Sequence, residues 1–149
     1  MNTEVCVDAN LVAKWYLFEN LKDEAVAFLA EADRLGISIL APDVLLAEVG
    51  SAIRRAVHRG LTTSDRGRLA LGLLKRVHIQ RFDVRDLFDD AWRIAEAYRL
   101  PTLYDAYYLA LAGIRGCDFW TADERLINSV QGLAYVRSLA SYQPEILGS

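Results

Sequence analysis

The sequence predicts an α/β fold: a three-layer α/β/α sandwich around a mostly parallel central sheet. Short apolar, β-branched runs alternate along the chain with segments whose apolar residues recur at helical spacing. Glycine or proline stands near the end of several of these segments. The 149 residues, 53% hydrophobic and 25% charged, are in the size range of one compact domain. We therefore expect a single domain over residues 1–149.

The first part of the chain contains two strands and the helices that follow them. The run "EVCVD" is typical of a buried strand ending at an acid. A helical pattern follows, with a break around Asn20 and an end at Gly36. The run "ISIL" predicts the second strand, and Pro42 and Asp43 open a helix that Gly60 ends.

The second part continues the alternation. "LTTSDRGRLALGLLKRV" predicts a helix with an apolar stripe of Leu69, Leu73 and Leu74, and "HIQRFDV" predicts a strand. Residues 86–99 form a helical pattern that Pro101 prevents from continuing. "TLYDAYYLALAGIRG" is apolar on nearly every face, as in a helix buried between layers. "CDFWTA" predicts a strand, a short helix follows, and "AYVRSL" is typical of an edge strand.

Four acids occupy positions of interest in this arrangement. Asp8 ends the first strand, and Asp123 follows the strand "CDFWTA". Because ligands bind outside the carboxyl ends of parallel strands, we expect both acids to face one crevice. Glu48 lies at the edge of the apolar stripe of its helix, and Asp105 is the only acid in an otherwise apolar helix.

Three of these acids also have purely structural interpretations. Asp8 could cap the helix that follows it. Glu48 could pair with Arg55 or another base at the edge of the core. Thr102 and Asp105 have the spacing of an approximate capping box.

The stretch "FWTADERL" raises the same question for the fourth acid. Thr121 and Glu124 fit a capping box, in which the hydroxyl and the carboxylate cap the short helix. This arrangement leaves Asp123 free to interact with the helix dipole or with a ligand.

Together, the four acids indicate a divalent cation. Carboxylates crowded into a partly dry cleft repel one another and become protonated unless a cation neutralises them. Oxygen ligands without clustered His or Cys favour Mg²⁺ or Mn²⁺ over Zn²⁺. Such an ion suits phosphodiester hydrolysis. Neither His58 nor His78 stands beside a reactive Ser or Cys.

The segments "VCVDAN", "DVLLAEVGSAIRR", "LPTLYDAYYLALA" and "FWTADERL" resemble the four acidic motifs of the PIN-domain nucleases. In length, order and spacing the chain is most similar to the VapC-type toxins of bacterial toxin–antitoxin pairs, from about residue 4 to 138. The resemblance implies a Mg²⁺- or Mn²⁺-dependent endoribonuclease with an antitoxin partner and homodimerisation. It assigns catalytic and metal-binding roles to an acidic quartet, Asp8, Glu48, Asp105 and Asp123.

The same resemblance assigns supporting roles to two neighbouring polar residues. Thr121 matches a hydroxyl that supports the last acid, and Asn10 matches a position that can hydrogen-bond Asp8 or bound water. An RNA substrate needs positive charge near the acids, and Arg125 is the best-placed base. The other candidates lie on predicted helix faces: Lys14, Arg54, Arg55 and Arg59.

Composition narrows the class of protein. A net charge of −3 and a pI of about 5.4 argue against a protein that only coats nucleic acid through a strongly basic surface. The sequence shows neither a secretory signal nor an apolar run long enough to span a membrane, so we expect a cytoplasmic protein.

Cys6 and Cys117 lack metal-binding or redox spacing and are expected to be reduced core residues. The aromatic cluster Trp15, Tyr16 and Phe18 is either buried or a partner surface.

Two other functions remain open at this point. A doubly wound phosphatase or phosphotransferase would use Asp8 as a nucleophile, but Asn10 stands where its DxD motif has a second acid. A non-catalytic interaction module would use the acids as helix caps and the aromatic residues as an interface. Dependence of activity on a metal ion and on Asp8 and Asp105 separates a nuclease from such a module.

Overall fold

The computed structural model describes residues 3–149, and these form a five-stranded sheet in the order β3-β2-β1-β4-β5. All four strand pairs are parallel, so the prediction of a mostly parallel sheet is confirmed. The predicted edge strand is β5. The strands are β1 (Glu4–Val7), β2 (Ser38–Pro42), β3 (Gln80–Phe82), β4 (Asp118–Thr121) and β5 (Val136–Ser138).

Seven α-helices connect the strands in the described part of the chain. The predicted break around Asn20 is present, because two helices separated by an irregular loop follow β1. The helices are α1 (Ala9–Ala13), α2 (Lys22–Leu35), α3 (Leu45–His58), α4 (Ser64–Leu74), α5 (Phe88–Tyr98), α6 (Tyr104–Arg115) and α7 (Glu124–Ser129). Short 3-10 helices are Val84–Leu87, Leu139–Ser141 and Ile146–Gly148.

Two consecutive residues of β4 show that helices cover both faces of the sheet. The ring of Phe119 lies 6.1 Å from that of Tyr108 in α6, and the ring of Trp120 lies 5.5 Å from that of Phe28 in α2. Successive strand residues point to opposite faces. Helices α2 and α6 therefore form the two outer layers, which confirms the α/β/α sandwich.

Local chemistry explains where several elements stop. Helix α2 ends at Gly36 and α6 at Gly116, both with the positive φ that glycine adopts without a steric penalty.

The loop between α1 and α2 is held by the Lys22 ammonium, which donates to the backbone carbonyls of Lys14, Trp15 and Leu17. This loop therefore has a defined shape although it contains no regular structure.

The orientation of α4 differs from the predicted one. Leu74 is buried, but 66% of Leu69 and 52% of Leu73 is exposed, so the predicted stripe is wrong. Helix α4 instead packs on α3 through Gly67, where an added methyl group would lie 2.8 Å from Cγ2 of Val57. The close approach at Gly67 decides which face of α4 is buried and leaves two leucines in solvent.

The core runs through the sheet and both helical layers. Cys6 and Cys117 are free thiols buried within it, as expected. Among residues 3–149, no helix is both long enough and apolar enough to cross a membrane.

Candidate active site

Asp8 and Thr121 lie side by side at the carboxyl ends of two neighbouring strands. Val7 pairs with Trp120 in the parallel register of β1 and β4, so the next residues of both strands emerge together. The Thr121 hydroxyl donates a hydrogen bond to Oδ2 of Asp8. Both side chains are buried, with 4% of Asp8 and 0% of Thr121 exposed.

The second oxygen of Asp8 caps a helix. Its Oδ1 accepts a hydrogen bond of 2.9 Å from the backbone N–H of Leu11, so Asp8 is the N-cap of α1 as one interpretation proposed. Burial raises the pKa of Asp8 to about 7, against the hydrogen bonds from Thr121 and Leu11 that lower it. The charges of Asp105 and Asp123 are smaller contributions to the same rise.

Asp123 caps α7, which corrects the predicted capping box. Its Oδ1 accepts from the backbone N–H groups of Arg125 and Leu126, at 3.0 and 3.2 Å. The Thr121 hydroxyl is turned towards Asp8 and accepts only the N–H of Asp123, at 3.0 Å. Because the helix begins at Glu124, the capping position falls on Asp123. Its Oδ2 has no hydrogen-bond partner among residues 3–149.

Glu124, the other member of the predicted capping box, points away from the acids. Its Oε1 accepts a hydrogen bond from the hydroxyl of Ser138 at the end of β5. The carboxylate therefore links α7 to the edge of the sheet, and the predicted reciprocal cap is wrong.

The side chain of Glu48 in α3 reaches α6. The Tyr108 hydroxyl donates a 2.7 Å hydrogen bond to its Oε1. Burial raises the pKa of Glu48, the Tyr108 bond lowers it, and the charge of Asp105 raises it. The salt bridges of the described residues do not include the predicted pair of Glu48 with Arg55.

Sequence reasoning did not identify Tyr108 as a partner of an acid. The signal was a phenol in a helix that is apolar on nearly every face. A buried tyrosine hydroxyl normally finds a hydrogen-bond partner, and the sequence alone does not show which one.

Asp105 stands in the first turn of α6 at an exposed position, without a side-chain hydrogen bond in the described structure. Leu103 precedes the helix and provides no side-chain cap, so the capping box from Thr102 is wrong. Partial desolvation and then the charge of Asp123 raise the pKa of Asp105. The charge of Asp105 in turn raises the pKa values of Asp8 and Glu48. Asp105 therefore interacts with all three other acids.

The four acids form a region of uncompensated negative charge. No salt bridge within residues 3–149 involves any of them. In the same part of the chain, no three His, Cys, Asp or Glu side chains already surround one position for an ion. An ion such as Mg²⁺, which keeps several of its waters, is compatible with carboxylates spaced more widely than a closed cage requires. The all-oxygen donor set and the unbalanced charge fit such a cation.

The other predicted site residues belong to α1, α3 and α7 or stand at the ends of these helices. Asn10 is exposed, and its side chain forms no hydrogen bond within residues 3–149. Arg125 is exposed in the first turn of α7, beside the Asp123 cap. Lys14 lies 3.5 Å from the carboxylate of Glu19, whereas three bases are exposed on or next to α3: Arg54, Arg55 and Arg59.

An apolar groove of about 450 Å³ lies between the loop after α1 and helices α3 and α4. Four of its apolar residues are exposed: Phe18 at 98%, Leu61 at 76%, Leu69 at 66% and Leu73 at 52%. All three residues of the aromatic cluster predicted from the sequence line this groove: Phe18 is exposed, and Tyr16 is half-buried. Trp15 is half-buried and donates its indole N–H to the carbonyl of Ala25 at 2.9 Å.

The amino-acid sequence is similar to a known protein family and to a named ribonuclease. Residues 5–132 match the PIN domain family. Ribonuclease VapC9 of Mycobacterium tuberculosis is 33% identical to the chain over 111 residues, which cover 74% of this chain and 82% of that protein.

Solved structures share the fold at low sequence identity. The M. tuberculosis toxin VapC20, described as cleaving the sarcin–ricin loop, superposes with a TM-score of 0.62 at 17% identity, covering 89% of this chain and 98% of that one. A chain of a toxin–antitoxin complex from Klebsiella pneumoniae has a TM-score of 0.62 at 15% identity, covering 91% and 97%.

Proposed function

This chain belongs to the PIN-domain family, and from that premise we propose that it is an endoribonuclease dependent on Mg²⁺ or Mn²⁺, the toxin of a toxin–antitoxin pair. The observation that carries the proposal is a buried Asp8 whose charge is coupled to two further acids and balanced by no cationic side chain within residues 3–149. The name and identity of the VapC9 relative support ribonuclease activity.

The donor set supports a hard divalent cation rather than zinc. All candidate ligand atoms are carboxylate oxygens, the type that Mg²⁺ and Mn²⁺ prefer. Asp8, Asp105 and Asp123 would hold the ion, with water completing the coordination, and Glu48 would be a ligand or orient the attacking water. When bound, the cation would lower the pKa of a water molecule and balance charge on the phosphate.

The protein residues have distinct tasks in this scheme. Asp8 is held rigidly because both of its oxygens accept hydrogen bonds. Asp123 is oriented through Oδ1, so Oδ2 can face the ion. Asp105 has neither oxygen engaged in the described structure and can adjust to the ligand. Arg125 would contact a phosphate of the RNA next to the scissile bond.

The apolar groove is the surface we propose for an antitoxin. A single exposed leucine is common on a soluble protein, but four neighbouring apolar side chains around a concave surface fit an apolar partner segment. The K. pneumoniae chain that shares this fold belongs to a toxin–antitoxin complex, which supports a partner of this class. A segment of the antitoxin would bury Phe18 and Leu69 there.

Homodimerisation and a cytoplasmic location are further parts of the proposal. Helices α5 and α6 expose Phe88, Trp92 and Ile114, which a second copy could cover. Sedimentation of the wild-type protein and of Trp92→Glu tests this interface, because only the wild type should dimerise. A ribonuclease toxin finds its RNA in the cytoplasm.

The central test is cleavage of RNA by the purified protein with Mg²⁺ or Mn²⁺. We expect cleavage that EDTA abolishes and added metal restores, with the sites read from the ends of the RNA fragments. Asp105→Asn should abolish cleavage, whereas Asp89→Asn, which changes an exposed acid in the first turn of α5, should not. Cleavage that persists in EDTA, or in Asp105→Asn, would contradict the proposal.

A further inference from the structure

The hydrogen bond between Tyr108 and Glu48 joins two helices at the acidic site. We propose that Tyr108 is a positioning residue, whose hydroxyl holds the Glu48 carboxylate in the orientation that the nuclease reaction requires. This inference rests on the proposed function and adds a residue that does not itself touch the metal or the RNA.

Tyr108 is immobilised by its surroundings. Only 1% of its surface is exposed, and its ring packs against Phe119 with 6.1 Å between ring centroids. Its backbone carbonyl accepts a hydrogen bond from the Sγ of Cys6 in β1, at 3.6 Å. The hydroxyl is therefore fixed relative to β1 and β4, the two strands that Asp8 and Asp123 follow.

Glu48, in contrast, belongs to a helix outside the sheet. Its flexible side chain is half-buried, and the Tyr108 hydroxyl is its sole side-chain hydrogen-bond partner among residues 3–149. Ordering a flexible glutamate costs conformational entropy, which a rigid donor offsets. Since the bond uses Oε1 alone, Oε2 stays available to a water molecule or an ion.

A purely structural role for the hydroxyl predicts something different. A buried phenol needs a partner, and in that case Glu48 would merely satisfy Tyr108. Removing the hydroxyl would then lower stability without changing metal binding or turnover through Glu48. The two explanations differ in whether the effect of Tyr108 depends on the chemistry of Glu48.

A double-mutant cycle separates them: wild type, Tyr108→Phe, Glu48→Gln and the double variant. Binding of Mn²⁺ without RNA is measured by electron paramagnetic resonance of the free ion, and kcat and KM are measured on an RNA oligonucleotide. We expect Tyr108→Phe to reduce Mn²⁺ affinity or kcat by roughly tenfold, with little change in KM, as for loss of a hydrogen bond to a charged group. In the Glu48→Gln background, the same change should have no further effect.

Tyr135→Phe is the matched control. The Tyr135 hydroxyl donates a 2.8 Å hydrogen bond to the carbonyl of Leu109, also in α6, and forms no hydrogen bond with the four acids. This variant should bind Mn²⁺ and cleave RNA as the wild type does. Thermal unfolding of every variant identifies any that fail to fold.

Equal losses from Tyr108→Phe in both backgrounds, or no loss in either, would overturn the positioning role while leaving the nuclease proposal intact. If Tyr108→Phe does not fold, Tyr108→Leu, which also lacks a donor and cannot bind the ion, is placed in the same cycle and judged by the same criterion. A wild-type protein that neither binds Mn²⁺ nor cleaves RNA would overturn both proposals together.

Discussion

The Thr121 hydroxyl donates a hydrogen bond to Oδ2 of Asp8, and its oxygen accepts one from the backbone N–H of Asp123 at 3.0 Å. One fully buried hydroxyl thus connects two acids that lie 115 positions apart in the chain. The parallel pairing of Val7 with Trp120 creates this contact, because it brings the ends of β1 and β4 together.

Replacing Thr121 by Val should weaken metal binding. The variant keeps the shape of the side chain but removes the donor that lowers the pKa of Asp8, so this pKa rises and protons compete better with the ion. We expect Mn²⁺ affinity near neutral pH to fall, and the free energy of unfolding to drop by about 1–3 kcal/mol for lost buried hydrogen bonds. Calorimetric titration and urea denaturation measure the two effects.

Thr121→Ser should recover most of both losses, because it restores the hydroxyl. Thr63→Val provides the control, since it removes the exposed N-cap hydroxyl of α4 away from the acids. It should lower stability without altering Mn²⁺ affinity. Wild-type metal binding by Thr121→Val would show that the hydroxyl does not support Asp8.

Asp8→Asn should abolish cleavage and stabilise the metal-free protein in a pH-dependent manner. The pKa of Asp8 is about 7 in the folded chain, compared with 3.8 as its ordinary value. Between these two pH values Asp8 has lost its proton in the unfolded chain but keeps it in the folded one. The free energy of unfolding therefore falls as pH rises through this range. Above pH 7 the folded chain bears the full cost of a buried, ionised Asp8. Asp8→Asn should therefore raise the free energy of unfolding by roughly 2–4 kcal/mol near pH 8 and leave it nearly unchanged near pH 4.

Thermal and urea unfolding at both pH values, in EDTA, measure this difference. Added Mn²⁺ should stabilise the wild type and not Asp8→Asn, since only a protein that binds the ion gains stability from it. A variant that is less stable than the wild type near pH 8 would contradict the assigned cost of the buried carboxylate.

Arg125→Gln should weaken RNA binding. Because this exposed arginine lies beside the Asp123 cap, we expect KM to rise roughly three- to tenfold, kcat to change little, and the salt dependence of binding to fall by about one phosphate contact. Arg68→Gln is the comparison, since Arg68 is an exposed base on α4 already paired with Asp65 at 3.3 Å. Equal effects of both changes would indicate a general charge effect.

Leu69→Glu should separate antitoxin binding from catalysis. A charge in the apolar groove would be desolvated by a partner, so binding should weaken by at least tenfold while RNA cleavage is unchanged. Leu71→Glu alters a partly exposed leucine of the same helix outside the groove and should leave binding intact. Co-purification with the genomic neighbour and a cleavage assay measure these outcomes, and wild-type binding by Leu69→Glu would exclude the groove.

The order and type of the main elements could be predicted because hydrophobic periodicity and glycine stops are local properties of the chain. The position of Asp8 directly after β1 is local in the same sense. The exposure of Leu69 and Leu73 is not a local property of the chain, because the close approach of Gly67 to Val57 selects the buried face of α4.

The sequence by itself determined a parallel α/β sheet and the presence of acids after two of its strands. Only the tertiary structure decided which oxygens the acids of the site leave free: Thr121 in β4 donates to Asp8, which leaves the cap of α7 to Asp123, and Tyr108 in α6 donates to Glu48 in α3. The physical reason is that a buried hydroxyl or carboxylate takes the partner nearest in space, and distant segments supply that partner when they pack together.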